Sequence, residues 1–558
     1  MVVRPFKVVQ TKDVPRGTPE FEEKRAALLR AFADKIPQEY YIPEDVANNP
    51  PQDVSGLATQ FGILTPKEVE ITENYDATGL AEAIASKKHS AVEVVTAFAK
   101  RAIIAHQLTC CLTQWFMDEA IEQAKKLDEY LEKNGKTIGP LHGVPVSIKD
   151  HMPIAGTYSS YGYFGSIQHD EKDSQFIGIL RSMGAVFYCK TNQPQSLMHL
   201  ESDSHWGRVL NPYNIQLSAG GSTGGEAALV AMKGSVLGVG TDIGGSIRGP
   251  AAFCGIYGFK PTSYTLPMKH MIAAPFPAEL NVLCSIGPMG RSLRDMDLMT
   301  KGILAAKPHL EDPRLVPTKW TGFETPVTKP LKIGIISNDG FIDPQPPVKR
   351  AIAWAKEKLS DPKFKDLVEV KDFTPYNAAE AWSKIRLQYW PEGGKAVVDH
   401  IEETGEPVHP LSAWIWKDAE VHGMRTGLDV STMRGERDEY RIKFAQHWNS
   451  QDVDFVIGPC FVGPASQHDT AFYWTYTSLY NFVDYPGIVV PTPIKAEKGE
   501  QYAEDYKPLS DACGHVKQLW EEGNFEKAPI NLQINARKYH DNELFGALSV
   551  LKDILELV

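Results

Sequence analysis

Residues 218–226 read Ser-Ala-Gly-Gly-Ser-Thr-Gly-Gly-Glu, and residues 238–248 read Gly-Val-Gly-Thr-Asp-Ile-Gly-Gly-Ser-Ile-Arg. Each segment places a serine among glycines, and these serines, Ser222 and Ser246, stand 24 residues apart. Glycine permits backbone conformations and close approaches that other residues do not, so backbone N–H groups beside these serines can reach a bound acyl group. The pattern therefore favours a nucleophilic serine beside an oxyanion hole.

A flexible glycine-serine linker is the alternative interpretation of this composition. The surrounding sequence argues against a linker, because residues 226–232 resume an apolar helical pattern and residues 235–239 resemble a strand. The glycines therefore lie in the apolar middle of a domain and not between domains.

A serine hydroxyl needs a base to become a nucleophile, and the usual base is a histidine supported by a carboxylate. Neither glycine segment contains a histidine, but residues 146–150 place Lys149 at the end of a short apolar strand. Serine-lysine variants of the catalytic triad exist. Lys149 is therefore the candidate base, although a lysine in this position is by itself typical of a protein surface.

Short β-prone segments alternate with amphipathic helical patterns along much of the chain. Strands are predicted at residues 144–148, 185–189, 235–239, 331–337, 367–370 and 454–457. Helices are predicted at residues 23–36, 117–131, 176–183 and 347–359, and after a capping box that begins at Ser90. This alternation predicts an α/β fold with a mixed, mostly parallel central sheet covered by helices on both faces.

The chain divides into an arm and a body. Residues 1–75 are predicted to form an N-terminal helical arm that packs on the body, and residues 76–558 to form one large domain. A mostly helical segment of about residues 376–450 is predicted as an insertion between two strands of that domain.

Composition excludes several classes of function. The 58 basic and 70 acidic residues give a net charge of -12 without a long basic run, so nucleic acid is not an expected partner. No uncharged apolar stretch of about 18 residues occurs, so no membrane span is expected. Residues 1–17 lack the apolar core of a signal peptide. Seven scattered cysteines without metal or redox spacing indicate reduced, buried thiols and a cytoplasmic location. The oligomeric state stays open, with a homodimer as one alternative.

In this order the motifs resemble those of the amidase signature family, over roughly residues 80–304 and again near the C-terminus. Residues 141–150 resemble the family's lysine motif, and residues 220–226 its Gly-Gly-Ser-Ser-Gly-Gly-Glu loop. Residues 241–248 match its nucleophile motif, and residues 255–262 match the segment that follows. Within the family, the sequence is most similar to the fungal acetamidase-like or general amidases. Residues 473–478 and 484–486 also resemble segments of that subgroup. Thr223 stands where the family often has a second serine, and we expect its hydrogen bond to survive.

The resemblance implies one amidase-signature catalytic domain and an amidohydrolase reaction without a metal or organic cofactor. Ser246 attacks the amide carbonyl, Ser222, typically after a cis peptide, relays the proton, and Lys149 is the ultimate base. The developing oxyanion meets the backbone N–H groups of the nucleophile segment, which are those of Ile243, Gly244, Gly245 and Ser246.

The role that the resemblance implies for Lys149 requires a neutral amine near pH 7. Since a free lysine titrates near ~10.4, holding it neutral at pH 7 costs roughly 4 to 5 kcal/mol unless burial lowers its pKa. Asp150 is therefore expected to point away from the site or to be engaged elsewhere, for example by backbone N–H groups. Asp242 and Arg248 are expected to pair and to shape the nucleophile loop.

The substrate is expected to be a small-molecule amide, but its identity does not follow from the motifs. The resemblance implies that residues 195–199 pass the acyl pocket, with Leu197 and Met198 as the candidate contacts, although core packing is the alternative; Gly221 and Thr223 are further candidate substrate-binding residues. The aromatic run of residues 473–480 either lines the mouth of the pocket or packs in the core.

Three other functions fit parts of the sequence. Residues 220–224 also match the G-x-S-x-G nucleophile elbow of an α/β-hydrolase-type esterase with Ser222 as nucleophile, although the residues before them read as a turn and not as a strand. A metal-dependent hydrolase would use His199, Glu201 and His205, which lack a standard ligand spacing and are better interpreted as satisfied polar side chains. The third alternative is a catalytically silent amidase-like scaffold that acts as a binding protein. The presence of all three triad residues argues against it.

Overall fold

The structure is a computed structural model that describes residues 4–272 and 281–558. Within these residues the strands are β1 Leu112–Trp115, β2 Pro145–Lys149, β3 Tyr158–Ser159, β4 Gln168–His169, β5 Val186–Thr191, β6 Asp203–Ser204, β7 Gly207–Arg208, β8 Leu210–Asn211, β9 Asn214–Ser218, β10 Leu237–Asp242, β11 Tyr257–Lys260, β12 Ser285–Gly290, β13 Leu331–Ile335, β14 Val368–Asp372, β15 Phe455–Pro459, β16 Gly487–Lys495 and β17 Pro529–Asn535.

The α-helices of the same residues are α1 Pro19–Ala33, α2 Glu44–Asn48, α3 Pro66–Asn74, α4 Ala77–Ala85, α5 Ala91–Thr109, α6 Met117–Asn134, α7 Gln175–Ser182, α8 Gly224–Ala231, α9 Arg248–Phe253, α10 Leu293–Ala305, α11 Pro346–Leu359, α12 Ala378–Gln388, α13 Lys395–Glu402, α14 Pro410–Glu420, α15 Gly427–Ser450, α16 Thr475–Phe482, α17 Asp511–Glu522 and α18 Asp541–Ile554. The capping box at Ser90 starts α5 as the sequence predicts, with Ser90 and Glu93 bonding each other's backbone N–H groups.

Eleven of the described strands form one mixed sheet in the order β1-β5-β2-β10-β12-β11-β16-β17-β15-β13-β14. The α/β class and the single large mixed sheet are therefore confirmed. The expectation of mostly parallel pairing is wrong, because six of the ten neighbouring pairs are antiparallel.

The error has a specific source. All four parallel pairs join strands that the helix-strand alternation predicts, namely β2 with β5 and β10, and β13 with β14 and β15. Every antiparallel pair includes a strand that the alternation misses: β1, β11, β12, β16 or β17. Four of the missed strands, β12, β11, β16 and β17, form the middle of the sheet, where both faces are covered and the usual polar-apolar alternation is lost, whereas β1 lies at one edge.

The pairing of β2 with β10 positions the candidate site. The two strands are parallel, with Ile148 opposite Val239, so their carboxyl ends meet at one edge of the sheet. Lys149 ends β2 and Asp242 ends β10. Ligand sites of open α/β sheets lie at this edge.

The N-terminal segment packs on the body within the described residues. Phe32 of α1 contacts the ring of His106 in α5 at a centroid distance of 4.7 Å. Residues 1–3 of the predicted arm lie outside the described residues. The division at residue 75 stays a prediction.

The predicted insertion contains α12 to α15. It reaches the candidate site directly, since the Tyr389 hydroxyl donates to the carbonyl of Ile243 at 2.7 Å. No helix in residues 4–272 and 281–558 combines the length and apolar character needed to cross a membrane.

Candidate active site

Lys149 is completely buried at the end of β2. Its Nζ atom lies 2.5 Å from Ser222 Oγ and 3.2 Å from Thr241 Oγ1. Burial lowers the pKa of Lys149 from 10.5 to about 7, although Cys284, Asp242 and Glu226 act in the opposite direction. Near neutral pH the amine is therefore divided between its charged and neutral forms.

Asp150 does not compete for this amine. Its carboxylate accepts from the hydroxyls of Thr113 at 2.6 Å and Ser160 at 2.5 Å. The expectation that Asp150 is engaged elsewhere agrees with these contacts, although hydroxyls and not backbone N–H groups are its partners. The charge nearest to Lys149 in sequence is thus held by its own hydrogen bonds.

Ser222 lies in a tightly packed glycine loop that follows a cis peptide between Gly221 and Ser222. A Cβ atom on Gly221 would come within 2.3 Å of the carbonyl oxygen of His199, so only glycine fits. Ser202 Oγ ties the loop together by donating to the Gly220 carbonyl at 2.9 Å and accepting from the Gly224 N–H at 3.0 Å. These contacts hold the Ser222 hydroxyl against the lysine.

Ser246 lies in the nucleophile loop between β10 and α9 and lines the same cavity as Ser222. Its carbonyl accepts from the Thr223 N–H at 3.2 Å, which joins the two glycine segments. Within the described residues Ser246 Oγ has no hydrogen-bond partner. The structure thus forms the link from Lys149 to Ser222 but not a hydrogen bond from Ser222 to Ser246.

The predicted oxyanion donors differ in their engagement. The N–H groups of Ile243, Gly244 and Ser246 donate to no group in the described residues. The Gly245 N–H instead donates to Asp242 Oδ1 at 2.9 Å, so it is available to an oxyanion only through a shared hydrogen bond. The assignment of these groups to an oxyanion hole stays a prediction.

Asp242 and Arg248 form a buried pair that shapes this loop. The Arg248 guanidinium donates to Asp242 through Nε and Nη2, each at 3.0 Å. Although burial acts to raise the pKa of Asp242, Arg248 lowers it to about 2. Because Asp242 also accepts from the N–H groups of Gly245 and Ile247, its charge holds the loop's conformation.

A cavity of about 830 Å³, its open mouth included, lies over Ser222 and Ser246. Leu197 and Met198 line it, whereas Gly221 and Thr223 are not among its lining residues. The described lining includes no Asp, Glu, Lys or Arg side chain. Further lining residues come from loops and from the insertion and carry no motif, among them Tyr161, Tyr163, Met268, Met271 and Tyr389.

The aromatic run of residues 473–480 is not among the lining residues. Its first turn supports the nucleophile loop from behind, because Thr477 Oγ1 donates to the Gly244 carbonyl at 2.8 Å. A Cβ atom on Gly244 would come within 2.4 Å of the Trp474 ring. The run therefore contributes to core packing behind the site.

The residues considered for a metal site differ in their hydrogen bonding. Glu201 is satisfied, since it accepts from Arg208 Nη1 at 2.7 Å and from the Asp469 N–H at 2.6 Å. The ring nitrogens of His199 and His205, however, are buried and make no hydrogen bond within the part of the chain that the structure describes. Since His199 Nε2 lies 3.6 Å from Asp203 Oδ1, the interpretation of these residues as satisfied polar side chains stays a prediction.

Two groups in the described residues bring potential metal ligands together: His199, Asp203 and His409; and Glu201, Asp203 and Asp469. His409 Nε2 lies 2.5 Å from Asp203 Oδ2, and although burial disfavours the charged ring, Asp203 raises the pKa of His409 to about 9. Arg208 Nη1 lies 2.7 Å from Glu201 and 2.9 Å from Asp469. These carboxylates are thus paired with cationic side chains in a buried ion network.

One argument against the nucleophile-elbow alternative, that a turn precedes Ser222, is corrected by the structure. Residues Asn214–Ser218 form strand β9, where the sequence predicts a turn, and α8 follows the loop. β9 belongs to a two-stranded hairpin with β8 and not to the main sheet. The base beside Ser222 is Lys149, whereas an elbow serine requires a histidine.

Comparison with known proteins identifies related chains. The Amidase family model matches residues 93–545. A putative amidase of Schizosaccharomyces pombe is 40% identical over 539 residues, covering 95% of this chain and 98% of the relative. An acetamidase of Emericella nidulans is 33% identical over 556 residues, covering 97% and 99%. The solved structure of a fatty acid amide hydrolase matches with a TM-score of 0.89 and 32% identity, covering 99% of this chain and 98% of that one.

The fold and these relatives define a hydrolase that acts on amides. More particularly, the chain belongs to the Amidase family, the amidase signature enzymes that its lysine and serine motifs resemble. The predictions of the family, of the fungal acetamidase-like subgroup and of amidase activity are confirmed.

Proposed function

We propose that this amidase cleaves a carboxylic amide through an acyl-Ser246 intermediate, with Ser222 as proton relay and Lys149 as base. The observation that carries the proposal is the buried 2.5 Å contact between Lys149 Nζ and Ser222 Oγ. Burial of an unpaired ammonium is strongly unfavourable, so a lysine buried against a serine hydroxyl needs a reason. A role as the base for that hydroxyl supplies one.

The lowered pKa of Lys149 supports its role as a base. With a pKa of about 7, roughly half of the molecules carry a neutral amine at pH 7, whereas a free lysine would be almost entirely charged. A general base works best when its pKa lies near the operating pH. The burial of Lys149 thus supplies what the reaction requires.

The proposed reaction begins when Ser222 passes its proton to Lys149 and takes the proton of Ser246. Ser246 Oγ attacks the carbonyl carbon, and the oxyanion is stabilised by the unoccupied N–H groups of the nucleophile loop, each worth about 3 to 4 kcal/mol when well aimed. Ser222 then returns a proton to the leaving nitrogen, because an amide anion is too basic to depart unaided. Water hydrolyses the acyl ester by the same relay.

The Ser246 hydroxyl has no partner in the described residues, so the two serine side chains must come closer to each other to close the relay. Catalytic hydrogen bonds are often long or poorly aligned without substrate and tighten when it binds. The location of both serines on one cavity supports this step.

The cavity favours a neutral, apolar acyl group larger than acetyl. An acyl chain bearing a charge would lose its hydration there and find no formally charged side chain in the described lining. The names of the relatives, acetamidase and fatty acid amide hydrolase, differ in acyl size. The apolar side chains that line the cavity, among them Leu197, Met198 and Met271, support the longer class for this chain.

A screen of primary amides with ammonia detection tests the function. We expect turnover of neutral apolar amides, loss of essentially all turnover in Ser246→Ala, and a kcat/KM that rises with pH through an apparent pKa near 7. Turnover undiminished in Ser246→Ala would move the nucleophile elsewhere. A protein without amidase activity on any amide would favour the silent scaffold.

Three further expectations belong to this proposal. The proposed steps need only protein side chains and water, so we expect activity to be insensitive to chelators. We propose a cytoplasmic location, which the seven unpaired thiols support. A homodimer remains an alternative to the monomer, and sedimentation velocity distinguishes them.

A further inference from the structure

His151 follows Lys149 by two residues and lines the cavity, yet the proposed reaction gives it no role. The ring is 5% exposed and is held at both nitrogens. Nδ1 lies 3.0 Å from Gln193 Oε1, and Nε2 lies 3.2 Å from Thr241 Oγ1. Thr241 Oγ1 in turn lies 3.2 Å from Lys149 Nζ, so the Thr241 hydroxyl connects His151 to the candidate base.

The direction of the hydrogen bond between Gln193 and His151 is fixed. Gln193 Nε2 donates to the backbone carbonyl of Ser160 at 2.8 Å, and a carbonyl only accepts, which fixes the orientation of the amide. Gln193 Oε1 must then accept from His151, so Nδ1 of the neutral ring carries the hydrogen. Nε2 is left as an acceptor.

The directions of the two hydrogen bonds of the Thr241 hydroxyl follow from that of the first bond. Because His151 Nε2 only accepts, the Thr241 hydroxyl must donate its single hydrogen to the ring. Thr241 Oγ1 then has only lone pairs to offer Lys149, and it accepts a hydrogen from Nζ. A neutral amine that donates toward Thr241 has its own lone pair free on the side of Ser222.

We propose that His151 is a positioning residue: by accepting from Thr241 it keeps that hydroxyl from donating to Lys149, so that the amine's lone pair is reserved for the Ser222 proton. This inference rests on the proposed function of Lys149. If the Thr241 hydrogen turned toward Nζ, it would occupy the lone pair that must receive the proton, and it would leave His151 Nε2 unpartnered in a buried site.

The same arrangement supports the charged lysine after proton transfer. The ammonium donates to Thr241 Oγ1, and the polarised hydroxyl donates to His151, so the two hydrogen bonds strengthen each other. Burial, together with the charged side chains that act on His151, Lys149 and Lys190, holds the pKa of the ring well below its ordinary value. The ring therefore stays an acceptor over the working pH range.

Two substitutions of similar size separate positioning from packing. His151→Leu fills the space without an acceptor, whereas the His151→Gln side chain keeps an acceptor near the position of Nε2. We expect kcat/KM to fall roughly 10- to 100-fold in His151→Leu, as for a buried hydroxyl left without its acceptor, and to stay within about threefold of wild type in His151→Gln.

The pH profile gives a readout that a packing defect would not reproduce. Loss of the acceptor weakens the hydrogen bond to the ammonium and lets Thr241 donate to the neutral amine, so both effects favour the neutral form. The rising limb of His151→Leu should therefore move to lower pH while its plateau falls. Loosened packing would instead hydrate Lys149 and move the limb toward the free-lysine value.

A double-mutant cycle with Thr241→Val completes the test, because His151 acts only through that hydroxyl. We expect His151→Leu to have little further effect in the Thr241→Val background, and thermal melts to confirm that each variant folds. Equal losses in His151→Leu and His151→Gln, an unmoved or upward-moving limb, or additive effects in the cycle would overturn the inference. A wild-type protein without amidase activity would instead overturn the proposed function.

Discussion

Replacing Lys149 by methionine should stabilise the protein at neutral pH while abolishing its activity. The folded state lowers the pKa of this lysine from 10.5 to about 7, which corresponds to a penalty of roughly 4 to 5 kcal/mol in the unfolding free energy at pH 7 and below. Loss of the hydrogen bonds to Ser222 and Thr241 costs about 1 kcal/mol each. The expected net gain is about 2 to 3 kcal/mol.

The sign of the pH dependence follows from proton binding. Between pH 7 and 10.5 the unfolded chain binds more protons at this site than the folded protein, so wild-type stability rises with pH in that window. Lys149→Met has no such dependence. Its advantage should therefore be largest at pH 7 and below, shrink as the pH rises, and reverse near pH 9, where the remaining burial penalty equals the roughly 2 kcal/mol of lost hydrogen bonds.

Thermal melts at several pH values between 6.5 and 9.5 measure this difference. For 558 residues the unfolding entropy is about 1.2 kcal/mol/K, so the expected gain in Tm is roughly 2 °C at the lowest pH. Lys126→Met, at an exposed lysine of α6, is the matched control and should show no pH-dependent difference from wild type. A Lys149→Met protein that melts below wild type at pH 6.5, or a difference that does not change with pH, would refute the reasoning.

The remaining predictions concern the loops and the cavity. Gly221→Ala should unfold the serine loop or remove turnover, since its Cβ would come within 2.3 Å of the His199 carbonyl, whereas Gly178→Ala, with open space around it, should leave Tm and kcat nearly unchanged; melts and amide assays measure both. Asp242→Asn should lower kcat by about 100-fold or more by releasing the nucleophile loop, and an unchanged kcat would show that the buried charge is dispensable. Met198→Glu should raise KM for apolar amides and spare the smallest ones, and a uniform change across chain lengths would remove Met198 from the acyl pocket.

The sequence predicts those elements whose signal is local. The capping box at Ser90 and the apolar strand before Lys149 depend on a few neighbouring residues, and both occur in the structure. The strands of the antiparallel middle are missed, because β11 and β17 are buried on both faces and show no period. Their partners are distant in sequence, so only the fold reveals the pairing.

The candidate site divides in the same way. Lys149, Ser222 and Ser246 carry motifs, whereas Tyr161 and Tyr389 reach the cavity from a loop and from the insertion and have no pattern around them. The contact between Lys149 and Ser222 joins residues 73 positions apart, which spacing alone does not predict. The sequence could have suggested His151 as a site residue, because it stands two residues after Lys149.

The central claim is that Ser246 carries the acyl group. Rapid quenching of the enzyme with a slowly hydrolysed apolar ester or amide, followed by intact-mass and peptide analysis, locates the acyl group on one residue. The account predicts a single acyl adduct on Ser246 that forms faster as the pH rises through about 7 and is absent in Ser246→Ala. An adduct on Ser222, or amide turnover that persists in Ser246→Ala without any covalent intermediate, would contradict it.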